Sequence, residues 1–155
     1  MNLHFEPITK ESSVQAKELS LAPGQEGFVE SVSQCLEEAS SRKDWRPVGI
    51  YHGTVLIGFA MYGYFWEYLP LGRVWLDRLL IDTKYQGKGY GRAAVEGLLQ
   101  RLKQEYHCKK VFLSVYQNNQ KAIQLYQSFG FAFNGEKDIH GEDVMVYCFS
   151  KNKIK

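Results

Sequence analysis

The chain has 155 residues, 23% of them charged and 45% hydrophobic, and its 19 Lys+Arg against 17 Asp+Glu leave a formal charge of +2. That length predicts one domain, spanning residues 2–149, with core enough to fold without staples. The composition excludes a disordered chain, and the small net charge excludes nucleic acid as the partner expected by default.

In chain order, a short strand near Leu3–Glu6 precedes two helical patterns, about 10–20 and about 27–42, separated by the turn dipeptide Pro23-Gly24. Strands follow at Val48–Tyr51, Val55–Tyr64 and Arg73–Ile81, rich in β-branched and aromatic residues, with a turn at Gly53 between the first two. Together they predict an antiparallel meander. From Gly89 the period changes: Ala94, Val95, Leu98, Leu99, Leu102 and Tyr106 recur at helical spacing and predict one long helix. A strand at Lys110–Val115, a helix at Lys121–Phe129 stopped by Gly130, and strands near Phe131–Glu136 and Val144–Phe149 complete the domain. Helices alternate with strands only in the second half, so the expected class is α+β, a mixed sheet with helices on its faces. Residues 150–155 read as a basic tail.

Cys35, Cys108 and Cys148 are odd in number and widely spaced, which predicts reduced core thiols and neither a disulfide framework nor a metal site. The first residues lack the basic-then-apolar pattern of a targeting segment, and no run approaches the ~18 apolar residues of a membrane span. A cytoplasmic protein with no membrane partner is expected.

The segment Gln86-Gly87-Lys88-Gly89-Tyr90-Gly91-Arg92 lies between a strand and the start of the long helix. There, backbone amides and the helix dipole favour an anion, the glycines allow close approach, and Lys88 and Arg92 add positive charge. A pyrophosphate fits. No Gly-Lys-Ser/Thr follows the turn, which excludes a Walker A loop, and no acidic residue stands where a dinucleotide-binding unit needs one.

Gln86-x-x-Gly89-x-Gly91 resembles the acyl-CoA loop of the GNAT N-acetyltransferase superfamily. Asn119-x-x-Ala122-Ile123-x-Leu125-Tyr126-x-x-x-Gly130-Phe131 resembles its C-terminal motif. The order and separation of the two blocks also agree, and the resemblance covers essentially the whole chain. Within the superfamily, the run Val74–Ile81 and the loop after it are most similar to bacterial diamine and polyamine (spermidine/spermine) acetyltransferases.

This resemblance implies acetyl-CoA as co-substrate, with the backbone of Leu79, Leu80 and Ile81 beside the pantetheine arm and the loop Gln86 to Arg92 around the pyrophosphate. Asn119 and Ala122 would border the arm. It implies direct transfer to an amine, and often a homodimer. Tyr126 is then the expected acid: a phenol with a reference pKa near 10 stays protonated at neutral pH and can donate to the departing sulfur. The other reading of Tyr126 is a core residue, flanked by Leu125 and Phe129. Asp77, on the strand entering the cleft, is the leading candidate for a base that receives the ammonium proton or anchors the amine. An ion pair with Arg78 or Arg73 is its alternative role.

The acceptor is read from charge and aromatics. Glu18, Glu26, Glu30, Glu37 and Glu38 stand between residues 18 and 41 with no Lys or Arg among them. On one helix Glu26, Glu30 and Glu37 would share an arc of about 40°. Tyr62, Tyr64, Phe65, Trp66, Glu67 and Tyr68 cluster at a strand end, where aromatic faces suit alkylammonium groups. Glu30, Glu37, Tyr64, Glu67 and Asp77 are therefore the expected contacts of a diamine or polyamine. Acetylation of a protein N-terminus, an amino acid or an amino-bearing antibiotic is the enzyme alternative. A non-catalytic acyl-CoA sensor is the alternative of another class.

Overall fold

The computed structural model describes residues 2–19, 31–68 and 72–150, and each expected strand and helix is present within it. The Pro23-Gly24 turn and residues 151–155 of the basic tail lie outside the described residues. Strand β1 (Leu3–Pro7) leads into α1 (Lys10–Lys17), which opens with a capping box between Thr9 and Ser12. Helix α2 is shorter than its sequence pattern: the Ser31 hydroxyl accepts the Gln34 amide while the Gln34 side chain accepts the Ser31 amide, so the helix starts at Val32 and runs to Ser41.

The meander is β2 (Trp45–His52), β3 (Val55–Phe65) and β4 (Arg73–Ile81); a 3-10 turn, Thr83–Tyr85, then precedes the long helix α3 (Tyr90–Tyr106). β5 (Lys110–Val115), α4 (Gln120–Phe129), β6 (Ala132–Lys137) and β7 (Asp143–Cys148) complete the chain order. The seven strands among the described residues share one sheet in the order β1-β2-β3-β4-β5-β7-β6, antiparallel except at β4–β5.

The two-residue strand period sorts the core into two layers. Tyr62, Leu76, Val111 and Leu113 face α3, whose Ala94, Val95, Leu98, Leu99 and Leu102 are fully buried. On the opposite face Phe59, Met61 and Leu80 pack on Ala16 of α1 and Val32 and Cys35 of α2. Each such leucine contributes about 1.5–3 kcal/mol by leaving water. The three cysteines are unbridged. No helix among the described residues is long and apolar enough to cross a membrane.

Strand β4 is irregular on both of its edges. Opposite β3 the register passes from Met61↔Arg78 to Tyr62↔Leu76, so Asp77 is bulged out of the ladder and its side chain comes to the same side as Arg78. Toward β5 the parallel pairing is confined to Trp75↔Phe112. β4 continues to Ile81 and β5 to Val115 without pairing each other, while their outer edges stay paired to β3 and β7. The sheet is split open.

The β3–β4 side of the split is closely apposed. A Cβ at Gly58 would overlap the Leu80 carbonyl oxygen across the strand pair. Gly58→Ala is therefore expected to cost about 2–3 kcal/mol and lower Tm by roughly 5–10 °C, read in a thermal melt; an unchanged Tm would show that β4 can yield there.

Candidate active site

The split strands open beside the start of α3. Gly87 and Gly89 have φ of +76° and +88°, and Gly89 is the N-cap of α3 in a left-handed conformation that an L side chain adopts only at a cost. No side chain caps this helix, so its first amides remain available. They carry the positive end of the helix dipole toward the split. The loop is braced from three sides. Gln86 Nε2 donates to the Ile81 carbonyl at 2.8 Å, and Tyr90 OH meets His52 Nδ1 at 3.0 Å. Arg92 Nη2 donates to Ser128 Oγ at 2.7 Å, its guanidinium lying 4.9 Å from the Phe129 ring centre. Lys88 is exposed at the loop tip. Backbone amides, two cationic side chains and an unpaired strand edge together suit a long ligand with an anionic head and an amide-bearing arm, the shape of an acyl-CoA.

Across the split stands α4. Asn119 is its N-cap: Oδ1 accepts the Ala122 amide at 3.4 Å, which commits the side chain's oxygen to the helix. Tyr126 lies on the same helix, its ring edge-on to Phe131 at 5.5 Å. Burial pushes its phenol up to about 12. The group is thus a proton donor at every physiological pH, and a desolvated one.

On the other side of the sheet β4 and β5 floor a cleft of about 460 Å³, walled by α2 and by the loop between β6 and β7. Asp77, Arg78 and Ser114 bring this cleft to the split. Most of its charges are paired. Arg42 holds Glu67 through two hydrogen bonds of 2.7 and 2.8 Å and holds Asp44 at 2.7 Å, which keeps the Glu67 carboxyl below its ordinary value. Arg73 pairs with Glu136 at 3.1 Å, and Lys137 with Asp143 at 2.7 Å. Arg78 lies 2.6 Å from Asp77 and 3.8 Å from Glu38. Glu142, in contrast, makes no ion pair among the described residues; burial and the nearby Asp138 raise its carboxyl from 4.5 to about 6.

The structure corrects several expected contacts. Tyr64 is not in the cleft, because the pleat sends Tyr62 and Tyr64 to the α3 face, where Tyr64 stacks on Tyr106 at 6.1 Å, and Phe65 to the cleft. Glu37 is exposed and does not line the cleft; its neighbour Glu38 does. Glu26 and Glu30 lie outside the described residues, so of the stripe from 26 to 37 only Glu37 is described, on α2. Glu67 and Asp77 do line the cleft, each against an arginine. Sequence reasoning missed Glu38 and Glu142. For Glu38 the available signal was helical phase, measured from the buried Val32 and Cys35 of α2. For Glu142 it was a tight turn of acids, Asp138 to Glu142, between two strands. Among the described residues no group of His, Cys, Asp or Glu is placed to hold a metal ion.

Residues 15–131 match the family model described as Acetyltransferase (GNAT) family. The spermine/spermidine N(1)-acetyltransferase of Bacillus subtilis strain 168 is 45% identical over 149 residues, covering 94% of this chain and 98% of that protein. A probable spermine N(1)-acetyltransferase of Bacillus subtilis subsp. natto strain BEST195 is likewise 45% identical, with the same coverage. Among solved structures, spermidine N-acetyltransferase from Vibrio cholerae in complex with CoA and spermine has a TM-score of 0.73 at 19% identity, over 96% of each chain. An aminoglycoside acetyltransferase in complex with coenzyme A and kanamycin has a TM-score of 0.80 at 19% identity, over 97% of this chain and 98% of that one. At such identities the two structures share the fold.

Proposed function

The chain belongs to the acetyltransferase (GNAT) family, and on that premise we propose that it transfers acetyl from acetyl-CoA directly to a primary amine of a polyamine or diamine such as spermidine or spermine. One juxtaposition carries this reading: the split after Trp75↔Phe112 meets the uncapped start of α3 on one side and, on the other, a cleft whose six carboxylates outnumber its four Lys and Arg side chains. The first suits an anionic acyl carrier and the second a polycation. The relative at 45% identity, a spermine/spermidine N(1)-acetyltransferase by name, supports the choice of acceptor.

Acetyl-CoA, when bound, supplies an acyl group on a thioester. The amides at the start of α3, with Lys88 and Arg92, would hold its pyrophosphate. The exposed edge of β4 at Leu79 to Ile81 would run beside the pantetheine arm, whose other side Asn119 and Ala122 would border. Tyr126 would donate a proton to the sulfur as the C–S bond breaks. Glu38, more than the exposed Glu37, would meet a charged end of the amine, with Glu67 reaching it only beside Arg42. The protein is proposed to work in the cytoplasm, as its three unbridged cysteines support. A homodimer rests on the family resemblance.

Thiol release in the presence of acetyl-CoA tests the reading. Spermine, spermidine and putrescine should be acetylated with kcat/KM at least about tenfold above an alkyl monoamine or an aminoglycoside, each extra ion pair in the cleft being worth about that factor. Silence across the whole panel would overturn the enzyme reading, and preference for the monoamine or the aminoglycoside would overturn the acceptor.

A further inference from the structure

An amine reaches the cleft as an ammonium and cannot attack a carbonyl until it loses a proton. Asp77, the base expected from its place on β4, is poorly suited to take that proton. Its bulged position sets its carboxylate 2.6 Å from Arg78 Nη1, and the same nitrogen donates to the Asp77 carbonyl at 2.9 Å. A carboxylate held against a guanidinium is a weaker base. Glu67 is engaged by Arg42, and Glu136 by Arg73.

Glu38 of α2 also faces Arg78, at 3.8 Å, and the β6–β7 loop supplies the other carboxylates of the cleft, Asp138 and Glu142. Asp138 holds the turn together, since its Oδ1 accepts the backbone amides of His140 and Glu142 at 2.8 and 2.9 Å and its own amide donates to the Glu142 carbonyl at 2.9 Å. Glu142 is left half-buried in the cleft wall, immediately before β7, whose first residues Asp143 and Val144 pair with Val115 and Ser114 of β5. It therefore stands at the end of β5 that faces the split. The charged groups acting on it are Asp138 and His140 from its own loop and Arg78 from β4.

Resting on the polyamine reading above, we propose that Glu142, and not Asp77, is the base that accepts the proton of the substrate ammonium. The Glu142 carboxylate takes one proton from the nitrogen and later releases it to water. The freed lone pair forms the C–N bond at the thioester carbonyl, and the C–S bond breaks. The second proton leaves the nitrogen to restore Tyr126 as Tyr126 protonates the sulfur, so amide, thiol and one released proton balance the equation. With its carboxyl raised to about 6, Glu142 is about thirtyfold more favourable as acceptor than an ordinary glutamate at 4.5 and is still ionised at neutral pH.

The test is the pH profile of kcat/KM for spermidine from pH 5 to 10. The native protein should rise through about pH 6 and then run level. Glu142→Gln should lose about 100-fold at neutral pH and replace the level region by a tenfold gain per pH unit, because only amine already neutral in solution can then react. Glu142→Asp should restore the level region. Asp77→Asn and His140→Gln should keep the acidic limb near pH 6 whatever they do to KM. Asp138→Asn, which can keep the loop bonds through its oxygen, should move the limb to lower pH by removing a like charge. A level region surviving in Glu142→Gln, a limb lost in Asp77→Asn or His140→Gln, or a limb unmoved in Asp138→Asn would each overturn the assignment. A native protein inactive on every amine would instead sink the polyamine reading itself.

Discussion

Tyr126→Phe should lower kcat about 100-fold while leaving the KM for acetyl-CoA within about threefold. The ring is held by packing, edge-on to Phe131, and phenylalanine keeps that contact. The Tyr126 carbonyl accepts the Phe131 amide at 3.1 Å, which fixes the turn after α4 independently of the side chain. Only the hydroxyl is lost. Were Tyr126 simply a core residue, that loss would be nearly silent. As the donor to a departing thiolate, it would act on charge that develops only in the transition state, and removing one such donor costs about 10²–10³ in kcat. The loss belongs in kcat because little of this interaction exists while the thioester is intact. Steady-state kinetics with a thiol-release readout measure it, beside a thermal melt that should move by no more than about 2 °C. A rate within threefold of native would remove Tyr126 as the acid. Since burial places the phenol at about 12, any basic limb below pH 10 in the native profile must come from another group.

The strands were legible from their β-branched and aromatic content, and the two-residue period then sends Phe59 and Met61 of β3 to one face and Ala60 and Tyr62 to the other. The same alternation separates Tyr64 from Phe65, and reading the aromatic run as one cluster overlooked it. α3 was legible from its apolar period, and its start from a glycine that the backbone indeed needs at φ +88°. What sequence could not carry was contact across the sheet order. Strand β7 inserts between β5 and β6, so the turn at 138–142 arrives beside β4 although Glu142 and Arg78 are far apart in the chain. Nor does composition reveal which acids are already neutralised. Adjacent strand residues normally point to opposite faces, and Asp77 meets Arg78 only because of a bulge. The local acidic excess seen in the sequence near α2 therefore reaches the cleft through Glu38, joined by an acid from the far end of the chain.

Gly89→Ala should raise the KM for acetyl-CoA about 30-fold and lower Tm by roughly 2–6 °C. At φ +88°, ψ 1° the residue sits where an L side chain costs about 1–2 kcal/mol. Partial relief of that strain turns the first amides of α3 away from the pyrophosphate, and the strain that remains lowers stability. The helix start moves with the loop, since the Gly89 carbonyl accepts the Ala93 amide at 3.1 Å. The effect falls on binding rather than chemistry, because the pyrophosphate is remote from the reacting carbonyl and its contacts are the same in ground and transition states. Gly91 provides the contrast. It lies within α3, and a Cβ there would meet Leu125 Cδ2 at an ordinary 3.8 Å. Gly91→Ala should leave Tm unchanged or slightly higher, so any rise in its KM reports space taken from the ligand and not strain in the loop. A KM for acetyl-CoA equal to that of the native protein in Gly89→Ala would mean that the α3 terminus does not hold the anion.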